Sequence, residues 1–291
     1  MVTWKVRNAD MNKNQNRYSA VLPVFRPSST YLGEAITSAL SQTIKPAELI
    51  VVLDGELSDE AAQVLDSRVT VLSIPLTGGV ARARHMGISR VSSDYVLFLD
   101  QDDVWLPDHA ERAMDRLERH AFVVSNGYVG PTIGQLQGTI YKVNATKKLL
   151  SWNRLLLGNT ILSPTQVAIQ MRTLGRLGGW PANVLGGSDD WLTWLTAARS
   201  GVPFDLDSRP SILYRRHPQQ NSLDDDLMTV SGLEVISRAL SHTPLRHDSV
   251  VRYLGASGYP GFLATMPYLR GLFFRQKLRL YRKLTHTVFP M

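Results

Sequence analysis

Apolar residues follow two rhythms along this chain. The run YSAVLPVF, near residue 18, is nearly continuous and reads as a short buried strand broken by Pro23 and Pro27. Ser28, Ser29 or Thr30 can cap a helix in which Tyr31, Leu32, Ala35, Ile36, Ala39 and Leu40 form the apolar face. ELIVVLDG is a second apolar run of the parallel-sheet kind, ending at Asp54-Gly55. LSDEAAQVLD predicts a short helix, VTVLSIP a third strand, GGVARARHMGISRV a helix entered through glycines, and DYVLFLD a fourth strand. Strands and helices that alternate in this way imply right-handed βαβ units. The fold class is α/β, with a mostly parallel sheet flanked by helices. Beyond residue 120 the alternation loosens. AFVVSNGYVG and GQLQGTIYKVN suit antiparallel strands, and KKLLSWNRLLLG, SPTQVAIQM and the glycine-rich RLGGWPANVLGGSDD come next. DDWLTWLTAARSG predicts a helix closed by Gly201, PSILYRRHPQQNSL a strand running into a loop, and the chain from about 223 more helix.

Composition adds two limits and one asymmetry. At 291 residues, 44% hydrophobic and 20% charged, the chain has the make-up of an ordinary globular protein with room for a sizeable core. It has no cysteine, which excludes disulfides and thiolate metal sites. No apolar run is long enough to span a bilayer, and the polar start MVTWKVRNADMNKNQNR lacks a secretory leader's apolar stretch, so a cytoplasmic location is expected. The net charge of +7 is concentrated at one end. After Asp248 there is no acidic residue, while Arg252, Arg270, Arg275, Lys277, Arg279, Arg282 and Lys283 follow. Three regions are expected: a flexible segment over 1–16, the main α/β domain over 17–222, and a basic helical extension over 223–291. Residues 266–291 mix Leu269, Leu272, Phe273, Leu280 and Leu284 with all of these cations except Arg252. Such a helix either lies on an anionic membrane, at the inner face of the cell membrane, or packs on the core with its basic face in water. Nucleic acid is not an expected partner, because no base-stacking residues interleave with the positive charge.

The candidate chemistry sits at strand ends. In open α/β sheets ligands bind beyond the carboxyl ends of the strands, where Phe25, Asp54 and Asp100 all fall. FLDQDDVW carries Asp100, Asp102 and Asp103 within four positions. Carboxylates so close suit a hard divalent cation such as Mg²⁺ or Mn²⁺ shared with substrate phosphates. The plainer alternative is an acidic turn in which Asp102 or Asp103 caps a helix starting near Trp105. Asp189 and Asp190 open the later helix; there they either complement its dipole or supply a general base. Arg215, Arg216 and His217 form a cluster suited to a diphosphate. Gly78-Gly79 leads to Arg82, Arg84 and His85, with neither Walker A nor dinucleotide spacing; a solvated helix face is the alternative reading for both arginines.

Taken in order, AVLPVFRPSSTYLGEAITSALSQTIKPAELIVVLDG, GGVARARHMGI, DYVLFLDQDDVWLP, GGSDDWLTWLTAARSG and YRRHPQQNS resemble the family 2 glycosyltransferases. The resemblance implies the GT-A fold, a Rossmann-like sheet with a C-terminal helical extension, and an inverting enzyme of the hexosyltransferase type that uses Mn²⁺ or Mg²⁺. It implies a nucleotide-diphosphate sugar donor, UDP-linked by preference, and a saccharide or lipid-linked saccharide acceptor in surface polysaccharide or glycolipid synthesis. By position, Pro23, Phe25, Asp54, Arg84 and Asp100 match nucleotide-binding residues. Asp102 and His217 match metal ligands, and Asp190 matches the catalytic base. Acceptor contacts are expected from Trp152, Trp180, Asp189 and Trp191, with Asn159, Thr165 and Gln166 nearby. The chain departs from the family pattern at Leu53-Asp54-Gly55-Glu56, where one acid is missing, and at Arg26, His85 and Asp189, which stand where asparagine, asparagine and glutamate are usual. Two other readings remain open. DQDDV also fits the nucleophile loop of haloacid-dehalogenase-like phosphatases, with Asp100 attacking phosphate. The basic tail alone would suit a membrane-surface binding protein without catalysis.

Overall fold

The computed structural model describes residues 18–76, 78–142, 145–218, 220 and 223–240. The expected flexible segment at 1–16 and the basic helix at 266–291 lie outside the described residues. The elements run β1 (Tyr18–Val24), α1 (Ser29–Leu40), β2 (Glu48–Asp54), α2 (Asp59–Gln63), β3 (Val69–Ile74), α3 (Val80–Arg90), β4 (Tyr95–Phe98) and β5 (Val104–Trp105). They continue with α4 (His109–Leu117), β6 (Phe122–Gly130), β7 (Gly138–Thr139), α5 (Trp152–Leu157), β8 (Val167–Gln170), α6 (Met171–Arg176), α7 (Asp189–Arg199), β9 (Phe204–Arg215) and α8 (Asp225–Leu240).

One sheet carries all these strands in the order β3-β2-β1-β4-β8-β6-β9-β5, with β7 paired to β6. The first four strands are parallel, as their βαβ pattern predicts. β8 runs antiparallel between β4 and β6, and β6 runs parallel to β9. The sheet is therefore mixed in its second half, where the sequence pattern loosens.

Side chains alternate across the sheet with the two-residue period of a strand. Val21 of β1 faces a core shared with Phe98, Phe122, Trp180 and Trp194. Its neighbours Ala20 and Leu22 face the other core, with Leu32 and Ile36 of α1 and Met114 and Leu117 of α4. Val235, Ile236 and Ala239 of α8 are buried in the first core, so this helix packs on the same body as α7. Among the described residues no helix is long and apolar enough to cross a membrane.

Close packing of α3 positions the site. A Cβ added to Gly87 would stand 2.6 Å from Val21 and 3.1 Å from Val52. The absence of a side chain lets α3 lie directly on β1 and β2, which carries its first turns beneath the strand ends.

Candidate active site

The three adjacent carboxylates divide their tasks because two distant strands fix their backbone. β5 pairs antiparallel with β9, Val104 opposite Leu213 and Trp105 opposite Ile212. Continued two steps, that register sets Asp102 opposite Arg215, just before His217. His217 Nε2 lies 2.8 Å from Asp102 Oδ2. Asp103 turns inward and is buried; it accepts from Ser163 Oγ at 2.8 Å, Thr165 Oγ1 at 2.7 Å and the Arg215 N–H at 3.0 Å. Asp100 accepts from Arg84 at 2.8 Å and Ser163 at 3.0 Å. Each acid thus has at least one partner of its own, His217, Arg84 or Thr165, while the single Ser163 hydroxyl proton is shared between Asp100 and Asp103; these partners offset the mutual repulsion. Burial, then the charge of Asp100, pushes the Asp102 pKa up; burial and both neighbouring acids push Asp103 well above the usual carboxylate range. The helix-cap reading fails here. β5 occupies Val104–Trp105, and α4 begins only at His109 after an Asp108 that makes no side-chain cap.

A single buried arginine joins this loop to the second acidic pair. Arg84 Nη1 donates to both oxygens of Asp189, at 3.0 and 2.9 Å, and Nη2 donates to Asp100. Burial opposes its charge, but Asp189, Asp100 and Asp190 outweigh burial and hold it protonated. The solvated-face reading therefore holds for exposed Arg82 and fails for Arg84. Asp189 also accepts from Trp180 Nε1 at 2.6 Å and is fully buried. Beside it, Asp190 accepts from the Trp191 N–H at 2.6 Å and from Asn159 Nδ2 at 3.2 Å. Burial first, and then the charge of Asp189, pushes its pKa up to about 7. Both acids occupy the first turn of α7, where the helix dipole also favours them.

The third part of the rim is the end of β1. Phe25 follows Val24, which stands beside Leu53 of β2, so Phe25 emerges next to Asp54. It is 36% exposed. Its N–H donates to Gln101 Oε1 at 2.8 Å and its carbonyl accepts from Gln101 Nε2 at 3.0 Å, so one carboxamide ties this residue to the acidic loop. Arg26, in the left-handed region at φ 42°, lays its guanidinium over the Phe25 ring at 5.0 Å. Asp54 accepts from the N–H groups of Gly78 and Gly79, at 2.9 and 2.8 Å. It thereby holds the turn that launches α3.

Asp102 and His217 suit a hard-to-borderline divalent ion. They offer a carboxylate oxygen and an imidazole nitrogen 2.8 Å apart. Neighbouring ligands of an octahedral ion at ~2.1 Å stand about 3 Å apart, so the pair fits one edge of such a shell. Among the described residues no group of three or more His, Cys, Asp or Glu is gathered for a metal. The remaining positions would then fall to substrate oxygens and water, as is usual for Mg²⁺.

The model of the family described as glycosyl transferase family 2 matches residues 19–174, more than half of the chain. The chain belongs to glycosyl transferase family 2. An uncharacterized glycosyltransferase of Haemophilus influenzae is 30% identical over 152 residues, covering 50% of this chain and 59% of that protein. The UDP-Gal:alpha-D-GlcNAc-diphosphoundecaprenol beta-1,3-galactosyltransferase of Escherichia coli is 24% identical over 210 residues, 67% of this chain and 72% of that one. The mannosyltransferase PcManGT of Pyrobaculum calidifontis, solved with GDP-Man and Mn²⁺, superposes with a TM-score of 0.59 at 15% identity, covering 94% of this chain and 84% of its own. That likeness gives the fold, GT-A. The chain spans under two thirds of the length of the first three curated relatives it matches.

The structure corrects several of the expected contacts. Trp180 and Trp191 are buried, and their indole N–H groups donate to Asp189 and to the Leu155 carbonyl, so neither offers a surface to an acceptor. Asp189 is closed off between Arg84 and Trp180. Thr165 and Gln166 are buried as well; Thr165 serves Asp103 and Gln166 donates to the Ser125 carbonyl. Pro23 is buried within β1 beside Val52 and shapes the strand end instead of lining the rim. Trp152 is half-buried against the core. Arg215 is buried and faces Asp102 from behind, while Arg216 is exposed. Reading along the chain missed Gln101 and Ser163 and gave Asp103 and Arg215 other tasks: Asp103 is sequestered by Ser163, Thr165 and the Arg215 N–H, and Arg215 turns to the Asp102 and Pro131 carbonyls and Glu34 instead of forming a diphosphate cluster with Arg216.

Proposed function

We propose that this family 2 transferase is a metal-dependent inverting enzyme that moves a sugar from a nucleoside diphosphate, UDP by preference, to a hydroxyl of a saccharide or lipid-linked saccharide. The observation that carries the reading is the Arg84 bridge. It makes the acidic loop and the Asp189–Asp190 pair one electrostatic unit, so a leaving-group site and a base stand at one rim.

Phe25 and Asp54 would meet the base and Asp100 the ribose. Asp54 keeps lone pairs beyond those used by Gly78 and Gly79. Asp102 and His217 would hold Mn²⁺ or Mg²⁺, which supplies charge neutralisation to the departing diphosphate. Asp190 takes the proton from the acceptor hydroxyl. As that oxygen bonds to the anomeric carbon, the bond to the diphosphate oxygen breaks on the opposite face and the configuration inverts. A base near pKa 7 suits this step, because about half of it is ionised at neutral pH and it is basic enough to accept the proton. The phosphatase alternative has no support: its nucleophile Asp100 follows the fourth strand and has both oxygens engaged.

The name of the Escherichia coli relative supports a UDP-sugar and a lipid-linked acceptor. We further place the enzyme at the inner membrane face through residues 266–291, which liposome flotation with and without that segment checks. Calorimetry of UDP, GDP and dTDP with and without Mn²⁺ tests the central reading. Tight UDP binding that chelation removes is expected; indifference to every nucleotide and to chelator overturns it.

A further inference from the structure

Arg215 is a buried cation that the chemistry above does not use, and its contacts tie the Asp102–His217 pair to α1 and to the turn after β6. Only 1% of its side chain is exposed. Nε–H donates to the backbone carbonyl of Asp102 at 2.7 Å, and Nη1 donates to the Pro131 carbonyl at 2.7 Å in the turn after β6. Nη2 pairs with Glu34 of α1. The guanidinium lies over the Tyr31 ring at 4.3 Å, and the other neighbour of that ring is His217, 5.3 Å between centroids. The Arg215 N–H donates to Asp103, and its carbonyl accepts from Gln220 at 2.6 Å.

A buried ion pair is weak evidence for stability, because desolvating the charge offsets much of the attraction. Glu34 is half-exposed, which weakens the pair further. Placement is the better account. Three donors of one rigid fork reach α1, the β6 turn and the acidic loop at once, and a lysine ammonium has no such fork. The same side chain touches the backbone of one proposed ligand and, through Tyr31, the ring of the other. We infer that Arg215 is a positioning residue that holds Asp102 and His217 at the spacing a divalent cation and a nucleoside diphosphate require. This inference rests on the metal-dependent reading above.

The test uses the full chain with Arg215→Met, which keeps bulk without donors, and Arg215→Lys, which keeps charge without the fork. Mn²⁺ affinity is read by electron paramagnetic resonance in the presence of UDP, beside thermal melts and steady-state kinetics. Arg215→Met is expected to weaken Mn²⁺ binding at least tenfold, and Arg215→Lys to recover part of that loss. Kinetically, the Mn²⁺ concentration for half-activity should rise while the rate at saturating Mn²⁺ stays within about threefold of wild type. A merely structural role would lower the melting temperature and leave the Mn²⁺ midpoint in place, and that result overturns the inference. Should Arg215→Met fail to fold, a wild-type Mn²⁺ affinity in Arg215→Lys overturns it equally. Wild-type protein that takes up no Mn²⁺ with UDP overturns the metal-dependent reading itself, and the inference with it.

Discussion

Replacing Asp190 by Asn separates the cost of burying this carboxylate from its proposed use as a base. The carboxyl is nearly buried, and its pKa rises from about 3.9 to about 7. A group raised in the folded state favours folding fully below its unfolded pKa and loses that contribution as pH climbs through the folded value. Wild type should therefore lose stability between pH ~4 and ~7. About three pKa units at ~1.4 kcal/mol each give ~4 kcal/mol as an upper bound. Asparagine escapes that loss. Its oxygen can keep the Trp191 N–H, but its NH₂ then faces Asn159 Nδ2 donor to donor, which takes back about 1 kcal/mol. At pH 8 the variant should be more stable than wild type by on the order of 2–3 kcal/mol, and near pH 4, where wild type has not yet lost stability, it should be less stable by about 1 kcal/mol. Urea unfolding at both pH values measures this. In parallel, wild-type kcat/KM should rise tenfold per unit below pH ~7 and level off above, while the variant loses ~10²–10⁴ in turnover and keeps its affinity for UDP. A flat wild-type profile from pH 5.5 to 8.5, or normal turnover in the variant, would refute the assignment of Asp190 as base.

Further outcomes rest on single contacts. Asp102→Ala should abolish the Mn²⁺-dependent part of UDP binding, measured by calorimetry; unchanged affinity with Mn²⁺ would count against the ligand role. Gln101→Ala frees both backbone groups of Phe25, so KM for the donor should rise several-fold with kcat nearly constant, and equal donor KM values would dismiss the clamp. Asp103→Ala strands the Thr165 hydroxyl and the Arg215 N–H and leaves Ser163 with Asp100 alone, and should cost ~3 kcal/mol in chemical denaturation. Asp103→Asn should cost only about 1 kcal/mol, since both hydroxyls can turn to accept from its NH₂.

How far the chain can be read without its fold depends on the range of the interactions. The β1, β2 and β4 tips were legible, because continuous apolar runs ending in Phe25, Asp54 and Asp100 already place those residues on one edge of a parallel sheet. The division of labour among Asp100, Asp102 and Asp103 was not. It depends on β5 pairing with β9, more than a hundred residues away, and on Ser163 and Thr165 arriving from a third segment. Nor does spacing tell Arg82 from Arg84, which lie two apart on one helix; only the approach of α3 to the sheet at Gly87 turns the second inward. The acceptor side was read least well. Tryptophans near the acidic pair suggested a sugar platform, yet Trp180 and Trp191 use their N–H groups to fix Asp189 and α5. The same physics explains both the success and the failures. Burial of apolar runs is local in sequence, so strand tips can be found from it. Pairing of buried charges is settled by whichever segments the fold brings together, and Arg84 binds Asp100 and Asp189 only because three elements meet there.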